Sequence, residues 1–463
     1  MSNMNRTAII ILALFITSNA FAADGKKTQQ AWPKADAKSL KEWQDMRFGM
    51  FIHWSPVSLK GTEIGWSRGK QVPVKEYDAL YKQFNPEKFD ADKWVSIAKD
   101  AGMKYMVLTT KHHDGFCLWD TKTTSYSIMS TPFKRDIVKE LAASCKKENI
   151  MFCAYYSILD WYHPDYNTSS HGGPGYKLPK GQKPNMNRYE KYMMAQLHEL
   201  VTNYGPLGVL WFDGEWEKPW THDSGVALYN YLRTLQPNLL INNRVDKGRK
   251  GMHGGTKNRD VYRGDFDTPE QRVGTFQTKW PWESCITICK QWAWKPKDNM
   301  KSLVSCIHTL VRTAGGGGNL LLNVGPMADG RIEPRQVERL REIGKWLKAN
   351  GKAIYATRGG PFKPGNWGVS THKGTLVYVH VLKWPGQKLS LPALPMKVVN
   401  AKLINGNEVS VTQTPKGIEI SVPESGKDPV DTIIVLELDR PCRLQKASMP
   451  NKPDEQATAY SRV

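Results

Sequence analysis

Along residues 35–350 the chain repeats one pattern: a short, nearly continuous apolar run, then a segment whose apolar positions recur at helical spacing. The apolar runs fall at 47–54, 104–110, 150–157, 208–212, 239–242 and 319–324, and 276–288 reads as strand and loop. Too short to be spanning helices and apolar on both faces, they predict parallel strands buried between two layers. A helical turn is expected at 43–46 and helices at 86–101, 135–147, 188–204, 225–235, 300–312 and 334–349. In the first of these helices Phe89, Trp94, Ile97 and Ala98 share a face, with Asp90 and Asp92 as capping candidates. The alternation predicts a parallel α/β architecture. About seven clear strands, with one further strand distorted, fit a (β/α)8-like, TIM-type barrel. Between 246 and 279 the pattern dissolves into Gly, Lys, Arg and Asp, which predicts a long loop near the rim.

Near residue 359 the texture changes. The runs at 375–382, 398–404, 417–422 and 432–438 are separated by Gly, Asn and Pro turns with no helix between them. This predicts a C-terminal antiparallel β-sandwich over 359–446, following a catalytic barrel over 23–358. Residues 1–22 read as a secretory signal peptide: Arg6, an apolar stretch over 8–17 and the small-residue site Ala20-Phe21-Ala22. Export to a bacterial periplasm or to the exterior is expected, and no later run is long enough to cross a membrane. Residues 447–463 are polar and are expected to be a disordered tail.

Composition narrows the function classes. With 40% hydrophobic and 24% charged residues the 463-residue chain is globular rather than disordered. Its 65 Lys and Arg against 44 Asp and Glu give +21, which favours anionic surroundings such as sulfated or uronic polysaccharides. The lysines are spread out, with no helix-turn-helix or RNA-binding signature, which counts against nucleic acid. Seven cysteines without CxxC spacing predict buried free thiols rather than a disulfide framework. The 17 Trp and 18 Tyr offer stacking surfaces.

In a barrel of this kind chemistry sits where the strands end. Those positions hold His53, His112-His113-Asp114, Tyr155-Tyr156 with Asp160, Trp211 with Asp213, Arg244, and Trp282 with Glu283. Asp213-Gly214 is also a common turn dipeptide, so that stretch alone fits a turn cap as readily as a catalytic acid. Strand alternation would point His112 and His113 to opposite faces, and no His-x-His or His-x-x-x-His spacing occurs, so a metal hydrolase is disfavoured. Many Trp, His and Arg donors around few carboxylates suit a polyhydroxylated sugar.

Several stretches, RFGMFIHWSP (47–56), KYMVLTTKHHDGF (104–116), RDIV (135–138), YYSILDW (155–161), LWFDG (210–214) and NLLLNVGPMADG (319–330), resemble the α-L-fucosidases of glycoside hydrolase family 29. The resemblance implies a barrel with a C-terminal sandwich, no metal or other cofactor, and release of terminal α-L-fucose by a retaining double displacement through a covalent glycosyl-enzyme. It places the nucleophile on Asp213 and the sugar pocket on His53, His112, His113, Tyr156, Trp211, Arg244, Trp66 and Trp282. For the acid/base it leaves two choices, Glu283, beside the apolar Trp280 and Trp282, and Glu63. In a retaining enzyme the partner must lie about 5–5.5 Å from the nucleophile. The implied substrate is a fucosylated oligosaccharide or polysaccharide, sulfated ones included. Two alternatives stay open: a hydrolase of a related L-sugar such as an α-L-galactoside, and a non-catalytic fucose-binding protein.

Overall fold

The computed structural model describes residues 32–166 and 180–442; the expected signal segment and polar tail lie outside them. Seven parallel strands form one sheet: β1 Phe48–Ile52, β2 Tyr105–Lys111, β3 Met151–Ser157, β4 Val209–Asp213, β5 Leu240–Ile241, β6 Glu283–Thr287 and β7 Asn319–Val324. Their spatial order is β5-β4-β3-β2-β1-β7-β6. Nearly every residue in these strands is buried, which is why the runs read as continuous rather than alternating. One face carries a single core cluster with Phe51, Val107, Tyr155, Trp211, Leu240, Cys285 and Leu321. Residues from both outermost strands, β5 and β6, meet in that cluster, so the sheet is curled. Between those two edges runs an irregular segment. Asp265 donates its N–H to the Ile241 carbonyl, and Phe266 accepts from Asn243 N–H. Further on, Glu283 N–H donates to Asp267 and Cys285 N–H to Pro269, while Gln271 N–H returns to Cys285.

Among the described residues, eight α-helices surround the sheet: α1 Ala37–Met46, α2 Val74–Tyr77, α3 Ala91–Asp100, α4 Ile137–Lys147, α5 Met186–Asn203, α6 His222–Leu235, α7 Leu303–Gly316 and α8 Pro334–Asn350. All but α2 and α8 start on a short polar side chain that caps them, as the sequence suggested for Asp90: Asp90 accepts from Lys93 N–H, Asp136 from Lys139, Thr221 from Ser224 and Ser302 from Ser305. The turn expected at 43–46 is longer, because Asp36 caps a full helix anchored by Trp43. At the end opposite the rim, buried Arg47 donates to the carbonyls of Gly317, Gly318 and Thr357 and ties the sheet to the segment that leaves it.

The C-terminal part has two antiparallel sheets. One runs β12 Val398–Leu403, β15 Thr432–Leu438, β10 Leu376–Val381, β9 Gly368–Lys373, β8 Arg358–Gly359; the other runs β11 Lys388–Leu391, β14 Gly417–Ser421, β13 Ser410–Thr414. Val377, Val379 and Leu436 of the first share a core with Leu389, Ile418 and Ile420 of the second. Among the described residues, no helix is long and apolar enough to cross a membrane. All seven cysteines are buried and unpaired.

Candidate active site

The carboxyl ends of the strands surround a cavity of about 200 Å³, smaller than the roughly 300–1,000 Å³ of drug-sized sites and suited to one sugar ring. Its wall includes His53, His112, His113, Tyr155, Trp211 and Asp213, with Arg244, Arg249, Glu270, Trp66, Trp216 and Trp292. Asp213 is the last residue of β4, and Gly214 then turns the chain with φ +91°. A side chain there would strike Leu159, its Cβ lying 2.9 Å from the Leu159 amide nitrogen, so glycine is required.

One guanidinium joins two carboxylates. Arg244 donates from Nη1 to Asp213 Oδ1 (2.6 Å) and from Nη2 to Glu270 Oε2 (2.8 Å). Its Nε donates to Thr268, and its plane lies over Trp211 at 4.5 Å. Tyr155 O–H donates to the other oxygen of Asp213 (3.1 Å). Burial pushes the Asp213 carboxyl up, but the guanidinium of Arg244 above all, with that of Arg249, holds it below the usual aspartate value. It is therefore ionised.

The histidines are neutral acceptors. Burial drives His53 down to about 3, His113 to about 4 and His112 well below its ordinary value. Asn323 Nδ2 donates to the Trp292 carbonyl, which turns its Oδ1 toward His53 Nδ1 (2.6 Å). His53 therefore carries its proton on Nδ1 and offers a bare Nε2. By the same logic Ser157 O–H donates to Leu159 and accepts from His113 Nδ1 (2.7 Å). His113 Nε2 is then an acceptor 3.6 Å from Asp213 Oδ2, so two acceptors converge on a space that a sugar hydroxyl would fill. His112 Nδ1 is buried with no hydrogen-bond partner among the described residues, and its ring stacks on Tyr155. No group of three or more His, Cys, Asp or Glu among the described residues is arranged to hold a metal ion.

The structure brings His53, His112, His113, Trp66, Trp211, Asp213 and Arg244 together as the sequence suggested, and moves four other residues elsewhere. Tyr156 lies on the opposite face of β3, its hydroxyl on Gln196 (2.7 Å), while Tyr155 faces the pocket. Glu283 is the first residue of β6, not a rim residue. In a parallel sheet that is the end away from the pocket, and Cys285, two residues on, is the one that reaches it. Glu283 is fully buried, receiving hydrogen bonds from Tyr105 O–H and Trp211 Nε1–H (3.0 Å). Trp282 packs against the backbone of Gly274, Gly316 and Gly318. Glu63 does not line the cavity; it accepts from the N–H groups of Ile64, Trp292 and Ala293 and so fixes the loop that presents Trp292. His112 and His113 both face the pocket because β2 ends at Lys111, so strand alternation does not reach them. Glu270 was not singled out in the sequence. Its only signal is its place in the irregular stretch between two strands, where it bridges to Cys285.

The family model for alpha-L-fucosidase matches residues 15–352. Human plasma alpha-L-fucosidase is 33% identical over 437 residues, covering 85% of this chain and 88% of its own, and human tissue alpha-L-fucosidase is 30% identical over 455 residues, 90% and 93%. Among solved structures, alpha-L-fucosidase isoenzyme 1 from Paenibacillus thiaminolyticus superposes with a TM-score of 0.79 at 35% identity, over 87% of this chain and 99% of that one. A GH29 alpha-L-fucosidase from Bacteroides thetaiotaomicron, trapped as a covalent intermediate with 2-fluoro-fucosyl fluoride using a glutamate-to-glutamine mutant, superposes at 0.78 with 30% identity, over 89% and 99%. With its parallel sheet, its sugar-sized pocket and these relatives, the chain belongs to the α-L-fucosidase family of glycoside hydrolases.

Proposed function

We propose that this protein is a retaining exo-α-L-fucosidase in which Asp213 is the nucleophile and Glu270, rather than Glu283 or Glu63, is the acid/base. The observation that carries the reading is the single guanidinium of Arg244 between two pocket carboxylates. It keeps both side chains at the reacting end of a cavity sized for one ring, which suits removal of a terminal residue. In the first step Asp213 attacks the anomeric carbon and Glu270 protonates the departing glycosidic oxygen. In the second, the Glu270 carboxylate takes a proton from water, and the resulting attack breaks the glycosyl–Asp213 ester. His53 Nε2 and the His113–Asp213 pair accept hydroxyls of the ring and orient it. The relative trapped as a covalent fucosyl intermediate supports the double displacement. The segment from Asp265 to Gln271, hydrogen-bonded to β5 and β6, serves in this reading as the eighth element that completes a barrel and carries Glu270 to the rim. Export follows from the reading of residues 1–22, and N-terminal sequencing of the mature protein should begin near Ala23.

The test separates the carboxyls. Glu270→Gln should lose most activity on a natural fucosylated glycan yet lose little in the first step with an aryl fucoside whose leaving group needs no proton. Asp213→Gly should be inactive on both and be rescued by azide with formation of a glycosyl azide. If Glu283→Gln shows the leaving-group dependence and Glu270→Gln does not, the assignment of Glu270 falls.

A further inference from the structure

Two residues beyond Asp213, the buried Glu215 takes no part in the reaction described. Its Oε1 accepts from Arg249 Nε (2.6 Å), and its backbone carbonyl accepts from Lys247 Nζ (2.6 Å). These contacts seat Arg249 against the pocket wall, its guanidinium 5.9 Å from the ring of Trp216. Arg249 also donates from Nη1 to Gly251 (2.8 Å), and its remaining donors have no hydrogen-bond partner among the described residues. The cavity grades outward from fully buried Tyr155 and Trp211 to Trp66, Trp216 and Met252, the last 48% exposed, and Arg249, its side chain 7% exposed, lies just beneath them beside Trp216. Arg249 therefore lines the cavity just inside its mouth, where an enzyme that holds one ring inside must place the residue to which that ring is joined. The loop around it, residues 246–263, carries six Lys and Arg against two Asp.

Resting on the fucosidase reading above, we infer that Arg249, seated by Glu215, is a specificity-determining residue that receives an anionic substituent on the leaving-group side of the scissile bond. Both a carboxylate, as in a uronic acid, and a sulfate ester present acceptor oxygens that a partly free guanidinium pairs with. Arg244 is already committed to two carboxylates, Asp213 and Glu270, at the reacting end of the cavity. Glu215 offsets part of the Arg249 charge, so the preference should lie at the low end for a charge-assisted hydrogen bond, about tenfold.

The experiment compares three aryl α-L-fucosides that carry, at one ring position, a carboxamide, a carboxylate or a sulfonate. In the wild type, kcat/KM should favour the anionic pair by about tenfold, less at high salt. The carboxylate-to-sulfonate ratio identifies which anion the mouth fits. Taking ratios within one variant removes any effect of Arg249 on Asp213 itself. Arg249→Gln should bring the anionic-to-neutral ratio to within about twofold, whereas Glu215→Gln, which frees the guanidinium, should raise it. The second variant keeps the inference open to refutation if Arg249→Gln does not fold. Hydrolysis without charge preference, or a preference that survives in Arg249→Gln, overturns this inference alone. Absence of hydrolysis with all three substrates removes the fucosidase reading and this inference with it.

Discussion

Replacing Arg244 by Gln tests the electrostatic logic of the site. The side chain is almost fully buried and faces Asp213 at 2.6 Å and Glu270 at 2.8 Å. Two unit charges about 4 Å apart at an effective dielectric of 20 attract by about 4 kcal/mol, and breaking one side of a buried pair typically costs about 3–5 kcal/mol. The variant should lose stability on that scale, measured by chemical denaturation at neutral pH. In the wild type the Asp213 carboxyl is held below its ordinary value, so its contribution to stability is present above the unfolded value and is lost as pH falls through the folded one. Without Arg244 burial prevails and the carboxyl titrates higher. The acid limb of kcat/KM on an aryl fucoside should then move to higher pH, and the plateau should fall about 10²–10³-fold, as when a preorganised donor is removed from a reacting oxygen. Arg244→Lys separates the two contacts. One ammonium can hold Asp213 ionised but cannot bridge both carboxylates in fixed geometry, so the acid limb should stay low while turnover of a natural glycan falls. An unmoved acid limb in Arg244→Gln, with rate alone reduced, would refute the argument and leave Arg244 as a sugar contact only.

Burial raises the Glu283 carboxyl to about 7, with the donors Tyr105 and Trp211 opposing. Its folded value lies above the unfolded one, so stability should fall by about 3 kcal/mol as pH rises from about 4.5 to 7. Glu283→Gln should flatten that dependence in denaturation curves; an unchanged slope would remove the explanation. Lys111 and Asp160 form a fully buried pair at 3.0 Å, and Asp160 also anchors the turn through Tyr162 and His163 N–H. Lys111→Met should cost about 3–5 kcal/mol by stranding the carboxylate, and the double variant with Asp160→Asn should be less destabilised than the single one. Equal losses in both would show that packing over Tyr156, not charge, sets the cost.

What the sequence revealed follows from how each element is solvated. The seven strands are buried on both faces and so stand out as apolar runs, and Asp213 stands out because its run ends on an acid. Strands β11 and β13 expose alternate residues and carry Lys, Ser, Thr and Gln, so their pattern resembles loop. Helix α1 was legible only at its end, because Trp43 is its one fully buried residue. At 155–156 two adjacent tyrosines compete for one inward position. Alternation says that only one can occupy it, but not which, and the register of β3 selects Tyr155.

Glu270, the proposed acid/base, is hidden in the sequence for a different reason. A residue is placed at the rim by the strand that carries it, and the stretch bearing Glu270 pairs with its neighbours through isolated bridges, without the run of apolar residues that marks a strand. Glu283 carries that mark, since it opens an apolar run, but the same run puts it at the wrong end: the chain enters β6 there and reaches the pocket only at Cys285. The polar residues of this stretch are those that the site uses. Thr268 holds Arg244 Nε, and Arg244 in turn holds both Asp213 and Glu270. An ordinary strand would fill those positions with Val or Ile to suit the core. The irregularity that makes the stretch read as loop is therefore the feature that lets it bring a second carboxylate, through Arg244, to Asp213.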